Sequence, residues 1–183
     1  MFFLWVTGVI RLAMIGILID EMFEDVEYIK PSEAFVNQGH SIVHIGIKEG
    51  QVVKGKRKST PVTIEESVSK FNIDKQDALL IPGGCSPDHL RGYESAVNFV
   101  KNFFKNGKPI FAICHAPQIL ITADLLHGRR VTGWRSIVQD LKNAGAIYID
   151  SEVVVDENLI SSRGPKDIPA FIETALNVLK SYN

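Results

Sequence analysis

Residues 109–117 read PIFAICHAP, an apolar run that halts at a cysteine and a histidine and resumes at a proline. The run from Pro109 to Ile113 is short, apolar and partly β-branched, which predicts a buried strand. Pro117 suits the first turn of a following helix, where its missing N–H costs little. Cys114 therefore falls at an abrupt strand-to-helix bend, the geometry of a nucleophile elbow. A sulfur at a helix N-terminus feels the positive end of the helix dipole, which favours thiolate over thiol. His115 beside it titrates near neutral pH and can donate or accept a proton. A buried structural cysteine is the plainer alternative for a Cys-His pair, but a strand end is where the crevice of a parallel sheet forms.

Outward from this stretch, apolar strand-like runs alternate with helical ones. Strands are predicted over 13–19, 41–47, 78–81 and 109–113, with a short β excursion over 52–64 turning at Gly55. A further short strand follows at 130–133, and a β pair spans 147–161. Helices are predicted over 26–38, closed by Gly39, and over 93–105, closed by Asn106-Gly107. Others fall at 117–126, 136–144 and 166–180. No linker, repeat or low-complexity gap interrupts the alternation, which predicts one α/β domain over 13–183. Its architecture is a doubly wound, flavodoxin-like, mostly parallel sheet with helices on both faces. Residues 1–12 are expected to be an extra leader outside that core. Their apolar run has no basic region before it, and Arg11 interrupts its continuation, so neither a signal peptide nor a spanning helix is expected.

The chain has 183 residues, 45% apolar and 22% charged, enough for a core without staples. Lys and Arg total 20 against 21 Asp and Glu, a net charge of −1, so no global positive field gathers nucleic acid or anionic lipid. Two cysteines fit neither a disulfide scaffold nor a Cys-based zinc site, and a reducing cytoplasmic compartment is the default. The five histidines show no metal-ligand spacing, and no metal or cofactor is expected.

Two other strand ends carry chemistry. Pro82-Gly83-Gly84-Cys85 follows the third strand, and its glycines let backbone N–H groups approach a substrate oxygen; with the N–H of His115 they can form an oxyanion hole. A plain tight turn is the alternative. Asp20, Glu21, Glu24 and Asp25 follow the first strand, where one can reach the thiol while the others favour the next helix's N-terminus. Spacing does not choose among them. Cys85 is expected to be a bystander, with a peroxide-driven disulfide to Cys114 as the alternative.

Three motifs in this order, Phe23-Glu24-Asp25-Val26-Glu27, Leu80-Ile81-Pro82-Gly83-Gly84 and Ala112-Ile113-Cys114-His115 with Pro117-Gln118-Ile119-Leu120, resemble the ThiJ/PfpI superfamily. The resemblance is closest to its PfpI branch of intracellular-peptidase-like proteins and deglycases, on a class I glutamine amidotransferase-like fold, and covers the chain from Ala13 onward. It implies Cys114 as nucleophile, Glu24 as the carboxyl that hydrogen-bonds and tunes it, and His115 as the adjoining histidine. It also implies a carboxylate supplied from a neighbouring subunit's Pro-Gly-Gly loop, here Asp88, and hence a homo-oligomer, a dimer or hexamer. Aspartate replaces the glutamate of archaeal members, Ala116 stands where glycine is usual, and Lys56-Arg57-Lys58-Ser59 replaces Gly-Lys-His-Gly. A glutamine amidotransferase would carry a later His-x-Glu pair, whereas His127 precedes Gly128-Arg129. An α/β-hydrolase would carry Gly-x-Ser-x-Gly and a late histidine, both absent.

The activity implied is stress-protective cysteine chemistry on small dicarbonyls or their early adducts on protein amines, of deglycase or glyoxalase type. An intracellular cysteine peptidase is the second reading, and a redox-sensing stress protein or holdase without turnover the third. The partners expected are a small electrophilic carbonyl compound or a peptide, and other copies of the chain, with neither nucleic acid nor membrane.

Overall fold

The computed structural model describes residues 12–58 and 60–181. The expected leader, apart from Leu12, lies outside the described residues.

Strand β1 (Met14–Leu18) enters the sheet, helix α1 (Asp25–Asn37) crosses over it, and β2 (Ser41–Gly46) returns parallel to β1. A hairpin of β3 (Val52–Lys54) and β4 (Pro61–Thr63) and the two-residue β5 (Glu66–Ser67) follow. Then come β6 (Ala78–Ile81), α2 (Ser86–Leu90), α3 (Glu94–Lys105), β7 (Ile110–Ile113) and α4 (Pro117–Thr122). The chain closes with β8 (Arg130–Val131), α5 (Val138–Asn143), β9 (Ile147–Tyr148), β10 (Val153–Asp156), β11 (Leu159–Ser162) and α6 (Ile168–Ser181).

Seven strands form the main sheet in the order β10-β11-β7-β6-β1-β2-β5. All pairings are parallel except β10 with β11. The expected mostly parallel doubly wound sheet is the one observed. Central strands β6 and β7 are buried at every position, as a sheet covered on both faces requires. One face packs Phe35 of α1 and Phe171, Ala175 and Leu179 of α6 against Ile15, Ile17, Leu80 and Phe111. The other packs Phe99 and Phe103 of α3, Ile119 and Leu120 of α4 and Leu141 of α5 against Leu18, Leu79 and Ile110. No helix among the described residues is long and apolar enough to cross a membrane.

Three expectations change in detail. The β pair expected over 147–161 is two structures: β9 pairs parallel with β8 in a small separate sheet, while β10 and β11 form the antiparallel edge. The helix expected over 117–126 ends at Thr122, because Asp124 turns to φ 55° and breaks the ladder. The five-residue α2, too short to show a helical period, was not anticipated.

Candidate active site

Strands β1, β6 and β7 lie side by side in the centre of the sheet, so the loops at their carboxyl ends meet. Cys114 is the first residue past β7 and takes φ 63°, the left-handed conformation that non-glycine residues avoid. Two backbone bonds hold it there: its N–H donates to the Ser162 carbonyl at 3.0 Å and its carbonyl accepts from the Trp134 N–H at 2.9 Å. The elbow expected from PIFAICHAP is present, and a strained position of this kind is held by its surroundings, not by local preference.

The backbone N–H groups of Gly84 and His115 act on the sulfur to favour its anion. Gly83 plays a different part from the one expected. Its N–H is not available to a substrate oxygen, because it donates to Glu27 Oε2 at 2.9 Å. Gly83 is also a spacer: a Cβ there would stand 2.5 Å from Glu27 Oε2 and 2.6 Å from Cys114 Cβ. The candidate oxyanion donors are therefore Gly84 and His115.

The carboxyl beside the thiol is Glu27, which corrects the expectation for Glu24. Glu24 sits before α1 in extended conformation and its side chain turns to Lys56 Nζ at 3.5 Å. Glu27, in the first turn of α1, is fully buried and lies with Cys114 against Gly83, close enough for its charge to act on the thiol. Its neighbours in the acidic run are occupied elsewhere. Asp25 accepts from the Arg57 N–H and the Thr60 hydroxyl, Glu21 accepts from the Lys54 N–H, and Asp20 accepts from the Glu21 N–H. These bonds tie the β3–β4 hairpin to the start of α1. Of the cationic turn at Lys56-Arg57-Lys58, Lys56 faces the Glu24 carboxylate and the Arg57 N–H donates to Asp25.

Burial pushes the Glu27 carboxyl up to about 7, against the opposing pull of the Gly83 N–H and the Cys114 contact. Burial also pushes the Cys114 thiol up, as does the Glu27 charge, while the N–H groups of Gly84 and His115 draw it down. A proton on Glu27 removes the charge that opposes the thiolate. Glu27 and Cys114 thus titrate as a pair.

His115 Nδ1 lies 3.2 Å from Cys114 Sγ and its Nε2 lies 3.1 Å from Ser136 Oγ. Burial lowers its pKa, nearby Lys56 lowers it further, and Asp88 opposes both. Asp88 itself pairs with Arg91 at 2.7 Å on the exposed face of α2. Within one chain both ring nitrogens of His115 are therefore engaged, one by the sulfur and one by Ser136. Ser136 was not among the expected site residues. It belongs to the turn after β8 and reaches the site only through the fold. Cys85 is exposed at the start of α2, whereas Cys114 is buried.

The DJ-1/PfpI family model matches residues 13–178. "Protein/nucleic acid deglycase 2" of Escherichia coli is 47% identical over 166 residues, covering 90% of this chain and 96% of the relative. A Bacillus subtilis protein provisionally named a cysteine protease, YraA, is 48% identical over 166 residues, covering 91% and 98%. Among solved structures, a two-domain Anabaena variabilis protein with DJ-1/ThiJ/PfpI-like and ferritin-like domains superposes with a TM-score of 0.89 at 38% identity. That likeness covers 91% of this chain and 48% of the larger one. A buried cysteine on a left-handed bend, the carboxyl beside it and a match spanning nearly all of the sheet lead to one conclusion: the chain belongs to the DJ-1/PfpI family.

Proposed function

We propose that the chain is a cysteine-dependent hydrolase of deglycase or glyoxalase type, acting on small dicarbonyls or their early adducts on amines. The observation that carries this reading is the left-handed Cys114 packed with Glu27 against Gly83, its anion favoured by the Gly84 and His115 N–H groups. In the reaction, the thiolate adds its electron pair to the aldehyde carbon of a dicarbonyl. The carbonyl π pair moves to oxygen, which the two N–H groups stabilise and Glu27 protonates. His115 moves the proton of the first carbon to the second while the proton on the first oxygen passes to the second oxygen, which leaves a thioester of a hydroxy acid. Water then adds to the thioester, the C–S bond breaks, and the thiol returns with release of a hydroxy acid such as lactate. From an adduct the amine departs as well.

Cys114→Ala and wild type, each incubated with methylglyoxal and with a peptide panel, test the reading. Cys114-dependent lactate without peptide cleavage is the expected result. Lactate formation that survives the alanine change overturns the nucleophile. Cys114-dependent cleavage without lactate replaces the reading with a peptidase, which the 3.2 Å contact between His115 and the thiol also supports.

The further expectation that Asp88 serves His115 across an interface belongs to the same proposal. For it to act, a neighbouring copy must displace Ser136 from His115 or approach the ring's face. Gel filtration of wild type and Asp88→Ala with activity measured on each fraction tests this; a fully active monomer removes Asp88 from the mechanism.

A further inference from the structure

A cleft of about 590 Å³ lies between the turn after β8 and the turn after β11. Its volume suits a whole small-molecule fragment, since ligand pockets run from about 300 to 1,000 Å³. Two contacts join it to the reacting group. The backbone of Trp134, which forms one wall, donates to the Cys114 carbonyl, and the Trp134 ring lies 6.2 Å from the His115 ring. Gly164, on the opposite wall, leaves room for that indole: a Cβ there would stand 2.9 Å from Trp134 and 3.9 Å from Glu27 Oε1.

The charges around the cleft narrow the ligand. Arg163 is neutralised inside the wall, its guanidinium bound to Asp167 at 2.7 Å and to Asp150 at 2.9 Å. Both carboxylates of the lining are thereby consumed. Arg135 and Lys166, also in the lining and exposed, have no ion-pair partner among the described residues. Trp134 and Tyr148 supply apolar face between them, with Lys142 5.9 Å from the Tyr148 ring centroid. An apolar body bearing one negative charge complements this arrangement.

We infer that the cleft is the acceptor-side subsite, seating the amine-bearing portion of the substrate with its apolar body on Trp134 and its carboxylate on Arg135 and Lys166. The substrate class is thus adducts of amino acids, or of chain ends, that keep a free carboxylate close to the modified amine. The inference rests on Cys114 being the reacting group, and its test is independent of turnover. N-acetylphenylalanine, its carboxamide and phenyl phosphate are titrated into Cys114→Ala protein, following the Trp134 indole N–H by NMR, with Trp134→Phe assigning the signal.

The carboxylate should bind about five-fold tighter than the amide, the scale of two exposed ion pairs. Arg135→Met/Lys166→Met should erase the difference at unchanged melting temperature, because both side chains are exposed. Equal affinities, a preference that survives the double change, or tighter binding of the phosphate would overturn the inference. A carboxylate preference alongside wild-type protein that makes no Cys114-dependent lactate keeps the subsite and removes the deglycase reading. Lactate formation without that preference does the reverse.

Discussion

Two strand-to-helix turns leave the centre of this sheet side by side, and each carries a cysteine. After β7, Cys114 itself occupies the left-handed position, at φ 63°, and the chain bends directly beneath its sulfur. After β6, Gly84 occupies that position at φ 78°, and Cys85 follows it at φ −89° on the exposed start of α2. The same strand, bend and helix thus give opposite results, because the residue at the bend is the one turned into the crevice. Where glycine sits at the bend, its amide faces the crevice and the next side chain faces solvent. One turn presents a thiol; the other presents a backbone N–H.

The largest way to break this arrangement is at the bend that lacks a side chain. Gly84→Ala would drive a methyl into the Met22 carbonyl and Glu24 N–H, both backbone and unable to yield, at a positive φ. Chemical denaturation should show a loss of about 3 kcal/mol or more, with turnover falling as well. Equal stability would mean that the turn is looser than its geometry.

The next effect concerns the proton held between the turns. Glu27 titrates at about 7 in the fold against 4.5 when exposed. Above 4.5 the unfolded chain has released this proton while the native state retains it. Stability therefore falls as pH rises from about 4.5 to about 7 and levels beyond, by roughly 3 kcal/mol in all. Glu27→Gln should flatten that segment of the melting-temperature profile between pH 5 and 8. An unchanged slope would assign it to other groups.

Smaller still is the support behind the histidine. Ser136→Ala leaves the Cys114 turn intact and frees His115 Nε2, so kcat should drop about five-fold with KM nearly constant, the cost of one lost hydrogen bond. A change in KM alone would place Ser136 in binding. At the bottom of the scale, Cys85→Ser should alter turnover by less than about two-fold, as an exposed substitution away from the bend. A loss comparable to Cys114→Ala would erase the distinction between the two turns.

The sheet was legible because its signals are local. Four-residue apolar runs at 78–81 and 110–113 can only be buried strands when Pro-Gly-Gly and Cys-His-Ala-Pro end them. Short elements were less so: α2 spans five residues, and the two-residue strands β8 and β9 draw their pairing from each other. Within the site, Cys114, His115 and Gly84 were readable from their place at strand ends. Ser136, about twenty positions on from His115, had no local signal, because only the turn after β8 brings it there.

The sequence by itself determined the order of elements, the bend that carries Cys114 and the glycine that lets a backbone amide face it, since each depends on neighbouring residues alone. Only the tertiary structure decided which carboxyl joins them. Glu24 and Glu27 stand three residues apart with the same chemistry, but α1 begins at Asp25. Glu24 is thereby left outside the helix to meet Lys56, while Glu27 rides its first turn into the space that Gly83 leaves empty. That choice depends on where α1 lies against the ends of β6 and β7, a long-range packing relation that no local pattern of acidic residues encodes.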